Sequence, residues 1–530
     1  MYTISFNNIS FQHGSSSEQL FYDISFHLHT EWRTAVVGRN GRGKSTLLQL
    51  ISGELQPNSG TIESMVRTAL FNEQVTDTDR KTFDVIKQRI APFTEWERSM
   101  EGMLMLGDER SLLRYHELFE RFTQHRGFTI DGLIRKECAE LGLTEHMLEQ
   151  SFNTLSGGEQ TRANIAALFL KQNAFPLLDE PTNHLDMEGR ELLAEYLSGK
   201  NGFIVVSHDR YFLDRCCDHV LAINKSGIRI FQGNYSSWRE QLKLEEASET
   251  ARKENLEKEI QSLERAARQR RAWSFVTEKE KHKAADSGFV SHKAAKVMKR
   301  ALSIERRMNA HIESKRSLLK NRESVRPLII HSIDQSSEIL LSVEEAGMRF
   351  GDAVLFNQFS LTVRRGERVA VIGPNGCGKS TLLRVIRKEL PLTSGQFRLA
   401  AALPAHSYQT PLWNSGPLRE ILRAAGIDET RFRIVMGTFN ISGEIFDRPL
   451  ETFSFGERKK VDLCRSFLTP NDLLVWDEPV NYIDIESKEQ IEAVVLREQP
   501  TMLFVEHDRA FVESIATRII DLSEYQWDPP

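Results

Sequence analysis

One eight-residue string occurs twice and divides the chain. Gly38-Arg-Asn-Gly-Arg-Gly-Lys-Ser45 recurs as Gly373-Pro-Asn-Gly-Cys-Gly-Lys-Ser380. Two further strings recur in the same order: Leu178-Asp-Glu-Pro181 as Trp476-Asp-Glu-Pro479, and Ser207-His-Asp209 as Glu506-His-Asp508. Ordered self-similarity of this kind implies two homologous domains, expected over 1–237 and 338–530. One spacing differs: Lys44 to Ser156 is 112 positions, whereas Lys379 to Ser454 is 75. The surplus in the first half is assigned to the helix-patterned stretch of residues 95–127.

Between the halves the composition changes. Residues 239–326 hold 23 Lys and Arg against 14 Asp and Glu, a net of +9, while the remainder of the chain is at −14. Gly288 is the only glycine there, and no proline occurs before Pro327. Leu242, Leu256, Ile260 and Leu263 form one apolar stripe; Met298, Leu302, Ile304 and Met308 form another. The reading is a linker over 238–330 of two long antiparallel helices turning near Asp286-Ser287-Gly288. Arms of about 30 residues reach roughly 45 Å. Within it, residues 265–300 carry 11 basic and three acidic side chains with Trp273, Phe275 and Phe289 interleaved. Such a segment fits a solvated helical hairpin whose aromatics pack between its own arms; it also fits an rRNA contact, with cations on phosphates and aromatics on exposed bases.

Each Gly-x-x-x-x-Gly-Lys-Ser follows a β-like run, residues 34–37 and 368–372, and fits a phosphate-binding loop. The glycines Gly38, Gly41, Gly43, Gly373, Gly376 and Gly378, with Asn40 and Asn375, let backbone N–H groups turn around phosphates at a helix N-terminus. Lys44 and Lys379 would reach the β- and γ-phosphates of ATP, and Ser45 and Ser380 would ligate Mg²⁺, with Thr46 and Thr381 next in the loop. Asp179 and Asp477, at the ends of apolar runs, would hold the Mg²⁺ shell. Glu180 and Glu478 would polarise an attacking water. Pro176 argues that the first of these strands begins no earlier than residue 177.

Leu155-Ser-Gly-Gly-Glu-Gln160 resembles the ABC signature, 23 residues before Asp179; Phe453-Ser-Phe-Gly-Glu457 stands 23 before Asp477, with Phe455 replacing a glycine. The resemblance implies that Ser156, Gly158, Ser454 and Gly456 cap the γ-phosphate held by the opposite domain. It also implies that Gln74 and Gln409 join the metal shell, that His208 and His507 are switch histidines, and that Phe350 stacks on adenine. The first-half position matching Phe350 is His13. The expected fold class is α/β: two tandem ABC-type P-loop nucleotide-binding domains joined by a long α-helical hairpin linker.

Gly233-Asn-Tyr-Ser-Ser-Trp238, Asp179-Glu-Pro-Thr-Asn-His-Leu-Asp186 and Val206-Ser-His-Asp-Arg-Tyr-Phe212 resemble the ABC-F family. Ala295-Lys-Val-Met-Lys-Arg300 and Val475-Trp-Asp-Glu-Pro-Val-Asn-Tyr-Ile-Asp484 resemble its Lsa-type antibiotic-resistance branch. This implies an ATP hydrolase, monomeric with intramolecular pairing of its two domains, at the E site of the bacterial ribosome. Its linker would contact 23S rRNA and P-site tRNA. Such proteins dislodge lincosamides, pleuromutilins and streptogramin A. Residues 95–127 resemble instead the arm of housekeeping ABC-F factors, so a translation factor without a resistance role is the alternative. A transporter ATPase subunit would leave the basic linker without a use. No apolar run nears the roughly 18 residues of a membrane helix, residues 2–6 read as strand rather than signal peptide, and the odd count of five cysteines suits a reducing compartment. A cytoplasmic, ribosome-associated protein is expected.

Overall fold

A computed structural model of the chain describes residues 2–14, 19–71, 79–106, 108–224 and 227–248, scattered positions between 250 and 265, and 338–526 apart from 352, 401–415, 440, 442 and 470. The chain divides into two compact units, Met1–Ser236 with Arg326–Pro530, and Ser237–Val325. Of the second unit the described part is the helix over residues 237–248 and positions beyond it. The expected hairpin turn, Trp273, Phe275 and Phe289 lie outside the described residues, as do Gln74 and Gln409.

The first cassette begins with a three-stranded antiparallel sheet in which Thr3–Phe11 pairs with both Phe21–His29 and Ser59–Ser64. Its larger sheet runs Arg67–Leu70, Ala174–Asp179, Phe203–Val206, Arg33–Val37, His219–Asn224 and Gly227–Gln232. All neighbours are parallel except the last pair. The central strands read as continuous apolar runs because both of their faces are buried, and Val36, Leu48, Leu177, Ile204 and Leu221 meet Ile4 and Phe6 of the antiparallel sheet in one buried cluster. Parallel register matters for function. Val36 lies opposite Val206, and Val206 lies opposite Asp179. The segments after these strands therefore emerge at the carboxyl edge of the sheet, the usual ligand edge of such folds.

The strand containing Pro176 begins at Ala174, earlier than the proline suggests. Pro176 lies opposite Ala69 on one side, while pairing with Phe203–Val206 starts only at Leu177. The missing N–H is tolerated where the ladder is one-sided.

The second cassette repeats the plan. Ile339–Phe350 pairs with Ala353–Arg364 and Ser394–Leu399. Among the described residues a four-stranded parallel sheet runs Leu474–Asp477, Met502–Val505, Arg368–Ile372 and Arg518–Asp521. Trp476 is buried against Phe467 and donates its indole N–H to Ser466 Oγ at 2.8 Å.

The surplus stretch of the first cassette contains two helices, Phe93–Leu106 and Glu109–Gln124. Asp108 caps the second by accepting the Ser111 N–H at 2.9 Å. Leu104, Met105, Leu106, Leu112 and Leu113 are exposed around the turn between them. All five cysteines are buried free thiols. No helix among the described residues is long and apolar enough to cross a membrane.

Candidate functional site

Each phosphate-type loop closes around its own lysine. The helix Lys44–Ser52 follows Gly43 at φ +89°, and Lys379–Ile386 follows Gly378 at φ +102°. A Cβ on Gly43 would lie within 2.8 Å of both Leu20 and Phe21, so left-handed backbone and close packing both demand glycine there. Lys44 Nζ donates to Gly38 O at 2.8 Å and Arg39 O at 3.2 Å; Lys379 Nζ donates to Gly373 O and Pro374 O, each at 2.8 Å. Burial lowers the Lys44 pKa, against the raising influence of Glu180.

The carboxylates arrive from the neighbouring strand ends. Glu180 N–H donates to Val206 O and Glu478 N–H to Val505 O, both at 2.9 Å. These bonds leave the two glutamates left-handed, at φ +48° and +49°. His208 Nε2 then lies 3.3 Å from Glu180 Oε1, and His507 Nε2 lies 3.4 Å from Glu478 Oε1. Ser380 Oγ donates to Asp477 Oδ1 at 3.2 Å, which joins two hard oxygen donors of the kind Mg²⁺ takes.

The two glutamates differ electrostatically. Burial pushes the Glu180 carboxyl up to about 7, with Asp179 adding to the rise and Lys44 opposing it. Glu478 is held down at about 2, first by His507 at 3.4 Å, and Asn481 Nδ2 donates to it at 3.2 Å. Burial, reinforced by the Lys44 charge, keeps His208 well below the ordinary histidine range.

A cavity of about 480 Å³ opens over the first loop. It collects the predicted Asn40, Gly41, Gly43, Lys44, Ser45, Thr46, Asp179, Glu180 and His208. It also takes in His13, whose Nε2 is 3.4 Å from Thr46 Oγ1, and Tyr482 from the other cassette. In the second cassette the contacts above pair Lys379 with Gly373, Ser380 with Asp477 and Glu478 with His507. Phe350 stands half-exposed at the end of its strand.

The signature serines begin helices Gly157–Leu170 and Phe455–Leu468 as reciprocal caps. Ser156 Oγ accepts the Glu159 N–H at 3.3 Å while Glu159 Oε2 accepts the Ser156 N–H at 2.7 Å; Ser454 and Glu457 do the same at 3.2 and 2.8 Å. Across the cassettes, Asn40 Nδ2 donates to Tyr482 O and Asn375 Nδ2 to His184 O, both at 3.3 Å. A Cβ added to Gly456 would stand 3.3 Å from Asn40 Nδ2, and one on Gly158 would stand 3.1 Å from His184 O. Each loop asparagine thus meets the segment after the other cassette's glutamate, beside that cassette's signature glycine.

The exchange is not symmetric. Asp186 Oδ2 accepts the Asn375 N–H at 3.0 Å, whereas Asp484 Oδ2 takes the Lys460 ammonium at 2.7 Å. Phe455 packs edge-on against Tyr482 at 4.6 Å. Charges also cross the boundary, some of them buried. Lys488 Nζ donates to His208 O at 2.8 Å and to Asp508 Oδ2 at 2.7 Å, Arg210 pairs with Glu492, and Arg39 with Glu486. Sequence reasoning found the motif residues but passed over Lys488, Asp186 and Asp484. The only signal for the aspartates was their helix-capping position.

The profile of the family described as "ABC transporter" matches residues 21–183 and 356–481. The chain is 29% identical over 542 residues to the ATP-binding protein YdiF of Bacillus subtilis (strain 168), covering 99% of this chain and 80% of that one. It is 28% identical to ABC transporter F family member 5 of Arabidopsis thaliana, covering 95% and 72%. It is likewise 28% identical to the ribosome protection protein VmlR of Bacillus subtilis (strain 168), covering 90% and 79%. The solved structure of an RNase-L Inhibitor shares the fold, with a TM-score of 0.58 at 17% identity over 97% of this chain and 87% of that one. The chain therefore belongs to the ABC transporter family and, with such relatives along nearly its full length, to its F branch. It is an ABC-type ATPase.

Proposed function

We propose that the chain binds two ATP molecules between its cassettes and uses their hydrolysis to cycle a clamp on the bacterial ribosome. The observation that carries the first part is the reciprocal contact of Asn40 and Asn375 with the opposite cassette, beside Gly456 and Gly158. A phosphate chain on Lys44 would meet Ser454, and one on Lys379 would meet Ser156. Ser45 with Asp179, and Ser380 with Asp477, offer the oxygen donors that Mg²⁺ requires; bound there, the ion would neutralise phosphate charge. Glu180 and Glu478 orient and polarise water, each steadied by its histidine at 3.3 or 3.4 Å. Lys44 and Lys379, released from their loop carbonyls, bind phosphate in the closed state. That contact supplies the differential affinity a switch needs.

The ribosomal part draws support from the likeness to VmlR, a ribosome protection protein, and from the basic segment 239–326. Binding at the E site, contact of the linker with 23S rRNA and P-site tRNA, and protection against lincosamides, pleuromutilins and streptogramin A complete the reading, in a cytoplasmic monomer. The Glu180→Gln, Glu478→Gln double variant should pellet with ribosomes through sucrose only when ATP is present. Failure to pellet with ATP bound refutes the ribosomal part. The resemblance of residues 95–127 to the arm of housekeeping ABC-F factors, here two helices with exposed leucines around their turn, favours a second reading, a translation factor without a resistance role. Drug-susceptibility assays on cells expressing the chain separate the two.

A further inference from the structure

Behind Glu478 the second cassette carries two buried charges where the first carries hydroxyls. Aligning Ser454 on Ser156, Asp477 on Asp179 and His507 on His208 sets Lys459 opposite Thr161, Val480 opposite Thr182 and Glu506 opposite Ser207. All six positions are buried. In the first cassette the set is neutral: Thr182 Oγ1 and Ser207 Oγ lie 3.0 Å apart, and Ser207 Oγ accepts the Asp209 N–H at 3.2 Å.

In the second cassette one carboxylate gathers three backbone N–H groups. Glu506 Oε2 accepts from Val480 at 3.1 Å, and Oε1 from His507 at 2.8 Å and Asp508 at 3.4 Å. The peptide two residues beyond Glu478 is thereby fastened to the peptide of His507. From the other side, Lys459 Nζ donates to the main-chain carbonyl of Glu478 itself at 2.7 Å. Burial lowers the Lys459 pKa to about 8, and among the groups opposing that fall Glu506 acts most strongly, ahead of Glu478 and Asp477. Neither charge suits this interior alone; an ammonium and a carboxylate brought in together offset each other's desolvation.

We infer that Lys459 and Glu506 form a charged strut that sets Glu478 and His507 in the second site, in place of the hydroxyl set Thr161, Thr182 and Ser207. Both are positioning residues, because they hold the backbone of the reacting pair and not the nucleotide. The inference rests on the reading of Glu478 as the water-polarising group.

The test isolates one site at a time. In a Glu180→Gln background, turnover reports the second site. Lys459→Thr or Glu506→Ser should each lower its kcat at least tenfold while KM for ATP stays within twofold. The triple variant Lys459→Thr, Val480→Thr, Glu506→Ser installs the first cassette's own set and should recover kcat to within about threefold of its parent. In a Glu478→Gln background, where the first site reports, the same single changes should leave kcat within twofold. Equal losses in both backgrounds, or singles with unchanged kcat, overturn the strut. If a single variant fails to fold, the triple decides, and a triple at a tenth of its parent's kcat or less overturns it. The Glu180→Gln, Glu478→Gln protein keeps the two failures apart. If that protein still hydrolyses ATP, the reading of the glutamates falls and the strut with it. If it is inactive and the single variants are normal, only the strut falls.

Discussion

Lys488 gives a direct test of the charge network between the cassettes. Its ammonium, with 4% of the side chain exposed, is held by Asp508, at 1%, and by the carbonyl of His208 from the other cassette. Lys488→Met keeps most of the volume and removes the charge. Stripping one partner from a buried ion pair costs about 3–5 kcal/mol, because the remaining charge is left uncompensated. Here the carboxylate keeps some support. Asp508 Oδ1 accepts the Phe511 N–H at 3.1 Å, and the Arg210 and Arg190 charges also favour its ionised form. The lower end, about 3 kcal/mol, is therefore expected, a change of more than a hundredfold in the folded-to-unfolded ratio. Urea unfolding followed by circular dichroism reads this as a lowered midpoint at unchanged slope. Adding Asp508→Asn should return most of the loss, since asparagine can still cap that helix and no lone charge remains. A Lys488→Met loss below about 1 kcal/mol, or a double variant no better than the single, refutes the reasoning.

Glu180→Gln and Glu478→Gln should slow steady-state ATP turnover to different extents, because one carboxylate sits in a burial-dominated pocket and the other faces His507 at 3.4 Å and accepts from Asn481; equal effects count against unequal sites. Asp462, whose carboxyl burial pushes up to about 7, keeps a proton in the folded state that the unfolded chain releases near pH 4, so its contribution to stability falls as pH rises from 4 to 7 and is flat above. Asp462→Asn, which copies Asn164 of the first cassette, should then raise thermal stability at pH 8 by at most about 4 kcal/mol and leave it unchanged at pH 4, as scanning calorimetry at both values would show. Removing Mg²⁺ with EDTA should abolish ATP turnover and adding it back should restore the rate; activity that survives chelation contradicts the roles given to Ser45, Asp179, Ser380 and Asp477.

The tandem α/β plan was legible because its signals are local. Apolar runs ending in Asp179 and Asp477, and glycine loops leading into helices, state strand, turn and helix within a dozen residues. Pro176 misled because ladder sidedness depends on which neighbour reaches residue 176, a tertiary fact. Ser156 and Ser454, each followed three residues later by glutamate, carry in the sequence the pattern of the reciprocal cap that Glu159 and Glu457 complete. Least legible were Lys488 and Lys459. A buried lysine has no periodic signature, and its partners come from segments distant in sequence: His208 is 280 positions from Lys488.

Glu180 and Glu478 hold a backbone conformation that suits glycine or asparagine better than glutamate. Left to folding alone, both positions would drift toward those smaller residues. A lineage that ceased to need hydrolysis at one site would therefore gain stability by losing its glutamate there, and such a loss would be hard to reverse. Stability and the turnover role proposed for them pull these two positions in opposite directions, which makes them the places where a retired site should first be recognisable.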